Sequence, residues 1–322
     1  MIQTMRLTPD VTSRRRTSVR RAGALVAAAA LLVAGCGNDS SAGSDTSGDA
    51  IDVIASFYPL QFVVQQVGGE LVQVSNLTPA GTEPHDLELT PKDTAALQDA
   101  RLVVYLAGFA PAVDEAVDSV AGGQAFDISE AARLDLSAGA GDEQAGDHDG
   151  VDPHFWLDPT RLADVADAVA ERLAELNPEH AADFTTNAIK LRSELERLDA
   201  EFTAGLESCT DTHLVTSHTS FGYLAQRYGF EQLGISGLTP EEEPSPAQLA
   251  EVADFVSAND VTTIYYETLV DPAIAETVAD ETGATTAVLD PLEGLSDRSA
   301  GSNYFEVMRS NLTSLRSGQR CA

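Results

Sequence analysis

Three of the six histidines lie where the chain is stiff and polar. His154 is framed by prolines and carboxylates in Asp152-Pro153-His154-Phe155-Trp156-Leu157-Asp158-Pro159, a stretch that also holds the only tryptophan. His85 follows a proline in Glu83-Pro84-His85-Asp86, and His218 is surrounded by hydroxyls in Thr216-Ser217-His218-Thr219-Ser220. Proline restricts the backbone, and an acceptor on one ring nitrogen fixes the tautomer and aims the other nitrogen at a ligand. Neutral imidazoles joined by one carboxylate form a donor set for a divalent transition metal. We therefore expect these three histidines and one carboxylate to converge on a single ion.

The other histidines sit in blander places. His180 falls on a long amphipathic segment and reads as a surface residue; His213 opens a strand; His148 lies in a Gly/Asp/Ala stretch without apolar periodicity. Taken singly, a loop histidine is more often solvated or satisfied than metal-bound, and no HExxH or CxxC spacing strengthens the pattern. For the carboxylate, both Glu267 and Asp290 fall at the ends of expected strands. Asp290 is followed by a proline that stiffens its backbone, and it is the preferred ligand.

The elements that must position these residues alternate as strand and helix. From Asp52 to Ile128, short β-prone runs (52–58, 72–77, 102–107, 125–128) are separated by helical patterns, with Thr90-Pro91 as a cap and first helical residue. A second series runs from His213 to Leu315, with strands at 213–217, 233–238, 261–266 and 287–289. Such alternation implies mostly parallel sheets, and sites in open α/β sheets lie beyond the carboxyl ends of the strands. His218, Glu267 and Asp290 fall at such ends, as does His85. Between the two series a helix begins at Asn177-Pro178, carrying Phe184, Ala188, Leu191, Leu195, Leu198, Phe202 and Leu206 as one apolar stripe. We expect an α/β protein of two Rossmann-like lobes joined by one long rigid helix: residues 51–176, a linking helix at 177–207, and residues 208–322.

The ends of the chain speak of location. Arg14, Arg15, Arg16, Arg20 and Arg21 precede an apolar run from Ala22 to Ala34, which ends at Gly35-Cys36. A basic region and an apolar run of about thirteen residues make a leader too short to span a membrane. Small residues before a lone cysteine resemble a lipobox, implying cleavage after residue 35 and lipid on Cys36, with residues 36–50 as a Ser/Gly/Asp-rich tether. Net charge is −32, and beyond residue 36 it is about −37 (13 Lys and Arg against 50 Asp and Glu). Such a chain repels nucleic acid; the charge suits cation capture, although solubility alone accounts for it. In an oxidising compartment the two remaining cysteines, Cys209 and Cys321, are expected to pair.

From about Ala55 to Leu315 the chain resembles the zinc/manganese receptor family of bacterial ABC importers. The matching stretches include Ala55-Ser56-Phe57-Tyr58-Pro59-Leu60, Glu83 through Asp86, Asp152 through Pro159, Ser217 through Tyr223, Glu243 through Pro246, Asp290-Pro291 and Tyr304 through Asn311. The resemblance implies a metal in the cleft between the lobes, with His85, His154, His218 and Asp290 as ligands. It also implies delivery of Zn²⁺ to a membrane permease driven by an ATPase, by a lipid-anchored monomer on the outer face of the cell membrane. A histidine at the third ligand goes with zinc in that family and a glutamate with manganese, in keeping with the softer imidazole donor. The same scaffold selecting manganese or iron is the first alternative. A secreted zinc hydrolase, with Glu83 or Glu267 as base, is the second; four protein ligands would leave no position for an activated water and argue against it. The histidine-rich loop common in zinc receptors is reduced here to residues 139–150 with His148 alone.

Overall fold

The computed structural model describes residues 50–137, 151–240 and 243–322. The leader, Cys36, the tether up to residue 49 and His148 lie outside the described residues. Among the described residues, no helix is long and apolar enough to cross a membrane.

The first series comprises β1 (Ile51–Ala55), α1 (Tyr58–Gly68), β2 (Val72–Asn76), α2 (Pro91–Asp99), β3 (Leu102–Tyr105), α3 (Pro111–Ala116), β4 (Ala125–Asp127) and α4 (Ser129–Ala132). Two long helices follow, α5 (Pro159–Leu176) and α6 (Ala181–Leu206). The second series is β5 (His213–Thr216), α7 (Gly222–Tyr228), β6 (Glu231–Gly234), α8 (Pro246–Ala258), β7 (Thr263–Tyr266), α9 (Ala273–Thr282), β8 (Thr285–Val288) and α10 (Tyr304–Gly318). Each series makes one four-stranded parallel sheet, ordered β2-β1-β3-β4 and β6-β5-β7-β8. This is a two-lobed α/β fold in which both sheets have the same strand order.

Local chemistry starts the helices where the sequence indicates. Thr90 and Ser245 each close a reciprocal capping box ahead of a proline, and the Asp158 carboxylate accepts from Thr160 N–H at 2.8 Å. Strand boundaries follow pairing rather than hydrophobicity. β6 begins two residues earlier than its apolar run because Glu231 pairs with His213, and Ile235 and Leu238 are buried beyond the strand. β8 likewise takes in Thr285 and Thr286 opposite Thr263 and Ile264. The helix expected from Pro178 opens with a 3-10 turn, Pro178–His180, before α6.

The apolar stripe of α6, Phe184 to Leu206, is buried throughout. At 1.5 Å per residue its 26 residues reach about 39 Å. It packs on α5, α1 and α10, and a single apolar core runs from β1 and α1 through α5 and α6 to Leu214, Tyr265 and α10. Each fully buried Leu or Phe contributes roughly 1.5–3 kcal/mol, so the helix is held by both lobes. Two smaller cores lie apart, one around Leu97, Val103 and Val117, the other around Val215, Ile264 and Val278. Cys209 and Cys321 form a disulfide that ties the chain after α6 to the residues after α10.

Candidate metal centre

Each candidate histidine is set by its own loop. His85 lies between β2 and α2; its N–H donates to Glu83 Oε1 at 3.3 Å, and its ring packs on Phe109 with centroids 4.5 Å apart. His154 precedes a 3-10 turn, Phe155–Leu157. Asp152 Oδ1 accepts both His154 N–H at 2.9 Å and Nδ1 at 2.8 Å. His218 lies two residues beyond the end of β5, with its carbonyl held by Thr216 Oγ1 at 2.6 Å. Glu267, at the end of β7, places both oxygens 2.7 Å from His218 Nδ1. Two imidazoles thus spend Nδ1–H on a carboxylate and turn Nε2 inward, which is how outer carboxylates orient metal-bound histidines.

The inward atoms meet at Glu293. Its Oε1 lies 3.1 Å from His154 Nε2, 3.2 Å from His218 Nε2 and 3.7 Å from His85 Nε2. His85 Nε2 and His154 Nε2 are 3.3 Å apart. Ligand atoms of these four residues all lie within 4.8 Å of one another, and all four side chains are buried.

Asp290, the expected carboxylate, is not in this group. Its Oδ1 accepts Leu292 N–H at 2.8 Å and its Oδ2 accepts the Thr268 hydroxyl at 3.1 Å. Asn311 brackets its backbone, accepting its N–H and donating to its carbonyl. Asp290 therefore builds the turn that presents Glu293. Within that turn Leu292 adopts φ 60°, a left-handed conformation that costs a branched residue about 1–2 kcal/mol. Trp156 Nε1 donates to Pro291 O at 2.7 Å and anchors the turn to the His154 segment. Glu293 carried the same sequence signal as Asp290, an acid beyond the end of β8, but only the direction of the turn separates them. Glu267, the other carboxylate weighed, orients His218 through Nδ1 and is not among the four grouped residues. His180 pairs with Asp183 on the surface, and His213 lies between Asp211 and Glu231.

The electrostatics follow from burial against charge. Burial pushes His85 down to about 4 despite Glu293 beside it. Burial also acts to lower His154, yet Asp152 and Glu293 hold it above the ordinary imidazole value. His218 is burdened by the same desolvation, but Glu267 and Glu293 hold it well above that value. Burial works to raise Glu293, and His218, then His154 and His85, keep it well below the usual carboxylate range. Glu293 Oε1 and Oε2 and His218 Nε2 are buried without an aligned hydrogen-bond donor or acceptor. Buried charged groups in that condition are expensive. A divalent cation accepting lone pairs from three imidazoles and one carboxylate satisfies them together, so the residues fit such an ion.

The chain is similar to known proteins over most of its length. The sequence model described as "Zinc-uptake complex component A periplasmic" matches residues 53–318. The chain is 35% identical over 303 residues to the high-affinity zinc uptake system protein ZnuA of Bacillus subtilis, covering 91% of this chain and 95% of that protein. It is also 35% identical to the zinc-binding lipoprotein AdcA of Streptococcus pneumoniae, with 91% of this chain matched to 59% of that longer protein. Among solved structures, the Zn(II)-bound ZnuA-like domain of that AdcA is similar with a TM-score of 0.70 at 34% identity, covering 84% of this chain and 99% of that one.

Proposed function

The chain belongs to the family of the periplasmic component A of zinc-uptake complexes, and from that premise we propose that it is the extracytoplasmic receptor that captures Zn²⁺ for an ABC-type importer. The observation that carries this reading is the buried meeting of His85, His154, His218 and Glu293. In our reading these four are the ligands, and Asp152 and Glu267 are the partners that fix two of the imidazoles. Three nitrogens and one oxygen suit Zn²⁺ over the harder Mn²⁺. Four protein ligands complete a tetrahedral shell and leave no position for an activated water, as befits a carrier rather than a hydrolase.

The rest of the chain fits the same role. Residues 1–35 act as a lipoprotein leader, Cys36 carries the lipid, and residues 36–50 tether a monomer to the outer face of the cell membrane. The lobes comprise residues 51–176 and 208–322, with residues 177–207 as the link. Because α6 is packed against elements of both lobes, capture and release proceed by a small closure. The loaded receptor then docks on a permease coupled to a cytoplasmic ATPase.

The test is competitive titration of chelated protein against a chromophoric zinc indicator. One zinc per chain, not displaced by manganese, and loss of most of that affinity on His154→Ala, are the expected results. A preference for manganese would overturn the metal, and absence of any stoichiometric metal would overturn the assignment of the site.

A further inference from the structure

The two lobes touch beside the site at a position where a side chain is missing. Gly222 opens α7, four residues after His218, and faces Asp152 on the segment that carries His154. A Cβ placed on Gly222 would lie 2.3 Å from Asp152 Oδ2 and 3.6 Å from Asp152 Cγ. Real Cβ contacts essentially never fall below 3 Å, so either the carboxylate or α7 would have to move. The carboxylate has little freedom. Its Oδ1 already accepts from His154 N–H and Nδ1, and Asp152 N–H donates to Leu136 O at 2.9 Å.

The next residue closes the arrangement. The Tyr223 hydroxyl donates to Asp152 O at 3.0 Å and accepts from Leu136 N–H at 3.4 Å. The Arg161 guanidinium lies over the Tyr223 ring, 4.4 Å from its centroid. Arg161 itself is buried and donates to Ala132 O and Asp135 Oδ1. Asp152 is therefore held by its backbone, by its own histidine and by the bare face of Gly222, all at once.

We propose that Gly222 and Tyr223 are positioning residues for the metal. The absence of a side chain at residue 222 lets the His218 loop and the His154 segment approach until Asp152 grips His154, and the Tyr223 hydroxyl fixes Asp152 in that place. The inference rests on the zinc-receptor reading and adds to it the contact that couples two ligands from different lobes. None of the three atoms nearest a Cβ on Gly222 belongs to a ligand, and the contact below 3 Å is with Asp152.

The experiment is a double-substitution cycle on the chain, with zinc affinity read by competitive titration and ligand geometry by the visible spectrum of the Co²⁺-loaded protein. Gly222→Ala should weaken zinc by about 10–100-fold, the range for loss of an outer partner of a metal-bound histidine, and alter the Co²⁺ spectrum. In an Asp152→Ala background the obstructing carboxylate is gone, and Gly222→Ala should then cost less than about threefold. Equal losses in both backgrounds, or a parent-like titration of Gly222→Ala, would overturn the proposal. If Gly222→Ala fails to fold, Tyr223→Phe takes its place: it keeps the ring under Arg161, and it should weaken zinc by about three- to tenfold through loss of the hydroxyl's bonds to Asp152 O and Leu136 N–H. An unchanged titration of that variant would overturn the proposal equally. A parent that binds no zinc would instead refute the receptor reading itself.

Discussion

Two neighbouring acids compete for one role, and substitution of each decides between them. Glu293→Gln preserves volume and one oxygen but removes the charge that lies 3.1 and 3.2 Å from the Nε2 atoms of His154 and His218. Structural zinc sites with four protein ligands hold the ion with roughly 10–16 kcal/mol, so an even share per ligand is roughly 2.5–4 kcal/mol, or about 70- to 10³-fold in Kd. Asp290→Asn keeps an oxygen to accept Leu292 N–H and a polar atom beside the Thr268 hydroxyl. It removes only charge from a turn, and its cost should stay below about tenfold, the low end for a residue outside the metal's own ligands. The assay is competition between metal-free protein and a chromophoric chelator, with both variants and the parent in the same buffer. Melting curves of the metal-free proteins check that each variant is folded. A larger loss for Asp290→Asn than for Glu293→Gln would refute the ligand assignment. So would a Glu293→Gln protein that binds zinc within threefold of the parent.

Zinc affinity should rise with pH, because the protons that neighbouring carboxylates hold on His154 and His218 in the metal-free protein must leave when the ion enters; calorimetry in buffers of different ionisation enthalpy measures that release. With folded values raised above the unfolded imidazole value of about 6.5, these pairs stabilise the metal-free protein fully below that pH, and the stabilisation is lost as pH climbs through the raised values. Scanning calorimetry of the metal-free chain should therefore show Tm falling as pH rises above about 6.5. Trp156 is the only tryptophan and its ring centroid is 5.3 Å from that of His154, so its emission should change on zinc addition and saturate at one equivalent. Reducing the Cys209–Cys321 bond, which spans a sequence separation of 112, should lower Tm through the loss of up to about 4–5 kcal/mol, read by melts with and without reductant.

Much of the fold was legible because its signals are local. Alternating apolar runs mark both parallel sheets, and the 3–4 spacing from Phe184 to Leu206 marks α6. Thr90, Asp158 and Ser245 act as the caps their types suggest. Strand edges were less legible: Glu231, Thr285 and Thr286 are polar and enter their strands only because a neighbour supplies the hydrogen-bonding partners. The three histidines were legible as a group from the stiff, polar loops around them. The fourth member was not, since Asp290 and Glu293 are both acids in one loop after β8.

By itself, the sequence determined the class of the fold, the number of lobes, the helix between them and the three imidazoles available to a metal, since each depends on residue type and short-range spacing. Only the tertiary structure decided which carboxylate completes the group. Asp290 is consumed by backbone and hydroxyl donors within its own turn, Leu292 adopts a left-handed conformation, and Trp156 from the other lobe fixes Pro291, so Glu293 is the acid that arrives among the histidines. The same holds for Asp152, Glu267 and Gly222, whose parts depend on contacts between segments far apart in the chain. Packing across the lobes sets the direction of a side chain, and no local pattern of residues carries that information.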